Sequence, residues 1–109
     1  MKKVSILGCG WLGFPLAETL LNERYQVKGS TTSPSKIDQL TKVGIEAFLI
    51  ALTEEGVEGN IAEFLKETDT LIIDIPPGLR KNPKEDFVKK MTLLFTEVEK
   101  SKVKYVVYV

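Results

Sequence analysis

The hexapeptide Gly8-Cys9-Gly10-Trp11-Leu12-Gly13 constrains this chain more than any other feature. Three glycines at G-x-G-x-x-G spacing follow a short β-rich run, Val4-Ser5-Ile6-Leu7. Behind them Leu12, Leu16, Leu20 and Leu21 recur at helical spacing up to about Glu23. A strand that stops at a glycine and turns directly into a helix opens a βαβ unit, and such units build parallel sheets.

The alternation continues to the last residue. Tyr25-Gln26-Val27-Lys28 reads as a second strand ending at Gly29. Ser33-Pro34 is a helix start, with Ser33 as N-cap, Pro34 at the first helical position, and Ile37 and Leu40 on the inner face. Ile45 to Ala51 is a third strand, and Asn60 with Glu63 forms a capping box for a short helix through Ile61, Phe64 and Leu65. Thr70 to Ile75 is an apolar fourth strand closed by Pro76-Pro77-Gly78. Asn82-Pro83 starts the clearest helix, with Phe87, Val88, Met91, Leu94, Phe95 and Val98 as its apolar face. Tyr105 to Val109 is the fifth strand. Strands apolar on both faces imply a parallel sheet covered on both sides, and right-handed crossovers make it doubly wound. The expectation is an α/β, Rossmann-type sheet of five strands in the order 3-2-1-4-5, cut short after strand five. It forms one dinucleotide-binding domain over residues 1–109.

Composition narrows the functions open to such a fold. Fifteen Lys+Arg against fifteen Asp+Glu cancel, which argues against a broadly basic nucleic-acid surface. Histidine is absent, which removes His-dependent triads and most zinc sites; no metal is expected. One cysteine excludes an intramolecular disulfide and suits a reducing cytoplasm. No apolar run reaches the roughly 18 residues that span a bilayer, and the start of the chain lacks the apolar core of a signal peptide.

The glycines have separate mechanical tasks. Gly8 permits the tight turn, Gly10 lets the backbone approach a diphosphate, and Gly13 allows close packing of helix on strand. The helix N-terminus adds free N–H groups and partial positive charge. Cys9 reads as a small residue in the variable slot rather than a redox thiol, since no second cysteine can resolve it. Trp11 either shields the diphosphate or packs beside the helix start.

Enzymes that use NAD carry an acid about 20 residues beyond the glycines, on the ribose 2′-hydroxyl. Here that stretch is Gly29-Ser30-Thr31-Thr32-Ser33-Pro34-Ser35-Lys36, without a carboxylate before Asp38. Hydroxyls at Ser30, Thr31 and Thr32 with the Lys36 cation suit a 2′-phosphate, so NADP(H) is expected over NAD(H). After strand four, Pro76 and Pro77 stiffen the backbone and Gly78 permits positive φ. Arg80 and Lys81 either meet an anion or are solvated surface charges, and Asp74 is either a site residue or a turn former.

These residues together resemble a known family. The opening run from Lys2 to Ala17, then Gly29-Ser30-Thr31-Thr32, then Ile75-Pro76-Pro77-Gly78, are similar to the atypical extended short-chain dehydrogenases, the NAD-dependent epimerase/dehydratase or nucleoside-diphosphate-sugar epimerase-like proteins. The resemblance covers only that family's N-terminal part. It implies that Gly8, Gly10, Trp11, Leu12 and Gly13 line the diphosphate. By the same carry-over Ser30 and Thr31 lie near the adenosine ribose, and Pro76, Pro77 and Gly78 near the middle of the cofactor. The family's catalytic Ser/Thr and Tyr-x-x-x-Lys pair have no counterpart here, so no catalytic residue is assigned and the chain alone is expected to be inactive. A small-molecule substrate is expected only in a full-length form. Two other readings share the glycine motif: the N-terminal domain of a ketoacid or hydroxyacid reductase, and a stand-alone module sensing NADP(H). An apolar edge at strand five, with no net charge to oppose contact, leads to an expectation of self-association there.

Overall fold

The computed structural model describes residues 3–8, 13–53, 55–74 and 87–108. Its central sheet contains β1 (Lys3–Leu7), β2 (Gln26–Thr31), β3 (Glu46–Leu49), β6 (Thr70–Ile73) and β7 (Tyr105–Tyr108). All neighbours are parallel and their order is β3-β2-β1-β6-β7, the expected doubly wound, Rossmann-type arrangement. Among the described residues the α-helices that accompany the strands are α1 (Gly13–Asn22), α2 (Ile37–Lys42), α3 (Ile61–Leu65) and α4 (Phe87–Lys100).

Period-two alternation divides the core between the two faces. Val4 and Ile6 of β1 join Val27, Ile72, Ala17 of α1 and Leu40 of α2 on one side. Leu7 joins Leu71, Ile73, Phe64 and Leu65 of α3, and Met91 and Leu94 of α4 on the other. Ser5 shares that second face and is fully buried. Its hydroxyl lies 2.8 Å from the Phe64 carbonyl oxygen and 2.7 Å from Thr68 Oγ1, so burial leaves it no orphan polar atom.

Several local expectations are corrected. β2 does not stop at Gly29 but runs to Thr31, because Gly29 is held between Ile6 and Ala47 by pairing on both sides. Ser33 precedes a 3₁₀ turn, Pro34–Lys36, yet its side chain makes no cap; its hydroxyl pairs with that of Ser35 at 2.9 Å. The Ile45–Ala51 run is not one strand. β3 ends at Leu49, and the chain enters an antiparallel hairpin of β4 (Ala51–Thr53) and β5 (Gly56–Glu58). Thr53 Oγ1 accepts from the Glu55 and Gly56 amides and closes the turn. The Asn60 cap is as expected, with Oδ1 accepting from the Glu63 amide at 3.2 Å. On α4 the buried stripe is Met91, Leu94 and Val98, whereas Val88 is 73% and Phe95 38% exposed. At 100° per residue the latter two lie roughly 70–90° from the stripe's centre, turned toward solvent. The predicted helix start at Asn82-Pro83 lies outside the described residues.

Candidate functional site

The crevice lies at the carboxyl edge of the sheet, where β1 is flanked by β2 on one side and β6 on the other. The chain runs outward from β1 to β2 and β3, then returns to β6, so this is the topological switch point of an open α/β sheet. Gly8 leaves β1 there at φ +93°, a left-handed conformation that favours glycine. α1 begins at Gly13, and its first turn contains no acidic residue. Its amino end therefore presents partial positive charge without a carboxylate to cancel it.

The Gly8 amide donates to Ser30 Oγ at 2.8 Å, joining the ends of β1 and β2 across the sheet. Ser30 is buried at 2% exposure, and its hydroxyl, having accepted this bond, keeps its own donor. Thr31 is buried as well, and its Oγ1 accepts from the Ser33 amide at 3.1 Å. Thr32 and Lys36 are exposed beyond the end of β2, Lys36 in the 3₁₀ turn. On the other side of β1, the half-buried Asp74 donates its amide to the Leu7 carbonyl at 2.9 Å, continuing the β1–β6 pairing to the crevice. The structure thus brings Gly8, Ser30, Thr31 and Thr32 to one edge. Cys9, Gly10, Trp11, Leu12, Pro76, Pro77, Gly78, Arg80 and Lys81 lie outside the described residues.

A second feature of this edge has no counterpart in the sequence reading. A cleft of 290 Å³ is lined by Thr32, by Leu49, Ile50 and Ala51 at the exit from β3, and by Glu58 and Gly59 of the hairpin. Gly59 forms it by close approach, since a Cβ there would lie 2.2 Å from the Leu49 carbonyl oxygen. The sequence signal was Glu55-Gly56 between Leu52 and Val57, a turn inside what looked like strand and loop. Among the described residues the electrostatic perturbation lies away from the crevice. Lys3, at the start of β1, hydrogen-bonds Glu67 and holds its carboxyl below the usual range, with smaller help from Lys66 and Lys28.

No family model matches the chain. It is similar to protein YeeZ of Escherichia coli K12, with 36% identity over 88 residues, 80% of this chain and 32% of that protein. It is also similar to a UDP-N-acetyl-D-mannosamine dehydrogenase of Methanococcus maripaludis, 29% identical over 102 residues, 87% of this chain and 23% of that enzyme. The chain spans about a third or less of these relatives. Among solved structures, alfalfa vestitone reductase superposes with TM-score 0.75 at 18% identity, over 99% of this chain and 36% of that one. A nucleoside-diphosphate-sugar epimerase of Pseudomonas aeruginosa gives 0.70 at 16% identity, over 98% and 32%. A variant imine reductase from Myxococcus stipitatus, solved with NAD+, gives 0.59 at 18%, over 90% and 28%. At these identities the likeness is one of fold, and the fold is Rossmann-type.

Proposed function

We propose that this chain is the cofactor-binding part of a nicotinamide-dinucleotide oxidoreductase or epimerase, and that it holds NADP(H) in preference to NAD(H). In this reading residues 1–109 are the N-terminal domain of a longer enzyme of the epimerase/dehydratase-like kind. Support comes from relatives of which the chain spans 32% and 23%. The observation that carries the reading is Gly8, left-handed at the end of the central strand, at the switch point, and followed within five residues by an acid-free helix start.

The residues present fit a dinucleotide. Amides of the glycine segment and the amino end of α1 hold the diphosphate, with Gly10 leaving room for it and Trp11 and Leu12 bordering it. Thr32 and Lys36 meet the 2′-phosphate, while Ser30 and Thr31, already bonded, hold the turn that presents them. Pro76, Pro77 and Gly78 border the middle of the cofactor. When bound, the nicotinamide supplies or accepts hydride, and this chain's own part is to bind and orient it. The chain contributes no catalytic residue and is inactive alone. Titration calorimetry with NADPH and NADH tests the reading: NADPH binds tighter, and Gly10→Val abolishes binding with the fold intact. A preference for NADH refutes the 2′-phosphate assignment, and normal binding by Gly10→Val refutes the site.

The proposal extends to a cytoplasmic protein, and to self-association of the 109-residue chain through β7. That strand is at the sheet edge, and Tyr105, Val106, Val107 and Tyr108 are all exposed, Tyr105 at 65%. An apolar edge strand offers unpaired backbone groups to a second chain. Sedimentation at micromolar concentration shows a dimer or larger species, which Tyr105→Lys disrupts; a monomer at that concentration refutes it.

A further inference from the structure

We infer that Asp74 sets which redox form of the bound dinucleotide this site prefers. Its carboxylate favours the oxidised form, whose nicotinamide ring is a cation, over the reduced form, whose ring is neutral. The inference rests on the dinucleotide reading above and concerns the half of the ligand remote from the 2′-phosphate. In that reading Thr32 and Lys36, beyond the end of β2, take the adenosine end. A dinucleotide lies across the point where the strand order reverses, so its other half passes to the far side of β1, over the carboxyl end of β6. Asp74 is the residue that follows β6 there.

The Asp74 amide donates to the Leu7 carbonyl at 2.9 Å, so the β1–β6 pairing fixes its backbone one residue past the strand. Ile73 packs on the α3–α4 side of the sheet and Ile72 on the α1 side. Period-two alternation therefore puts Asp74 on the α1 side, the same side as the acid-free amino end of α1. The residue is half-buried, and among the described residues no hydrogen bond or ion pair engages its carboxylate. Ile6 and Ile72, register partners on that side, are buried, and an apolar layer screens charge poorly. A carboxylate so placed repels the diphosphate of both redox forms alike, and that effect cancels when the two are compared. Only the ring charge distinguishes them. Because a site shifts an equilibrium by its differential affinity, tighter binding of the oxidised form makes the bound reduced form a stronger hydride donor.

The test titrates the 109-residue chain by calorimetry with NADP+ and with NADPH and takes the ratio of the two affinities. Unit charges about 8 Å apart at an effective dielectric of about 30 change an equilibrium constant by a factor of about ten. Asp74→Asn should therefore shift the ratio about tenfold toward NADPH, while Asp74→Glu, which keeps the charge, leaves it within about twofold. Asp74→Ser is a second neutral variant and should shift the ratio in the same direction. Raising the salt to 1 M should shrink the shift. An unchanged ratio in both neutral variants, or one moved toward NADP+, overturns the role of Asp74 while leaving the dinucleotide reading in place. A loss of affinity shared equally by the two forms does the same, since it is what a turn former alone would give. Failure of the unmodified chain to bind either form overturns both.

Discussion

Replacing Gly59 by alanine isolates what the hairpin contributes. Two costs arise at this position. Gly59 has φ +105°, and an L-residue held there costs about 1–2 kcal/mol. The new Cβ would also lie 2.2 Å from the Leu49 carbonyl oxygen and 3.2 Å from Ile50 Cα, both backbone atoms that no side-chain rotation relieves. The end of β5 must move by about an ångström, an overpacking cost of about 1–3 kcal/mol. The sum is about 3 kcal/mol, and for a domain of this size a loss of about 12–24 °C in Tm. Gly44 provides the internal control. Its φ of +100° is nearly the same, but a Cβ there meets only Leu21 methyl groups at 3.8 and 3.9 Å. Gly44→Ala should therefore cost only the conformational part, about 1–2 kcal/mol or about 4–16 °C. Thermal and urea unfolding followed by circular dichroism measure both variants. A Gly59→Ala loss no larger than that of Gly44→Ala would refute the close packing of hairpin on β3.

Ser30→Ala removes the acceptor of the Gly8 amide and should destabilise the chain by about 1–3 kcal/mol in urea melts. Leu94→Ala, at a fully buried position, should cost about 2–5 kcal/mol, whereas Val88→Ala should stay within about 0.5 kcal/mol; the same melts decide whether α4 is turned as described. Lys3 depresses the Glu67 pKa, so the folded state binds that proton less readily than the unfolded chain. The resulting stability is present above the ordinary carboxylate range and lost as pH falls through the depressed folded value. Glu67→Gln should flatten that acid limb slightly, and 1 M salt should remove the difference, because the pair is solvent-exposed.

Much of this arrangement is legible locally. Gly8 after Val4–Leu7, Pro34 before its 3₁₀ turn, and the Asn60–Glu63 pair report backbone preferences that neighbours a few residues away satisfy. The alternation of such segments, with crossovers of one hand, orders the parallel sheet before any coordinate is known. That is why the strand order and the short α3 are as expected. Within the glycine hexapeptide, Gly8 at the end of β1 and the start of α1 at Gly13 agree with the spacing without help from the rest of the chain.

Other features depend on partners distant in sequence. Gly29 looks like a strand end, yet Ile6 and Ala47 pair it from both sides and β2 continues to Thr31. Val88 and Phe95 fit an apolar helix pattern, but the crossover to β7 sets which stripe meets the sheet, and Met91 and Leu94 take it. The bond from the Gly8 amide to Ser30, 22 residues away, exists only because the β1–β2 register brings the two together. The split of Ile45–Ala51 and the cleft beside Glu58 arise because Gly59 can seat the hairpin on the backbone of β3. Local pattern specifies which conformation each segment prefers and which face it hides. Register, helix rotation and close backbone approach are settled only when segments far apart in the chain compete for the same space, so the strand order was readable from sequence and the cleft was not.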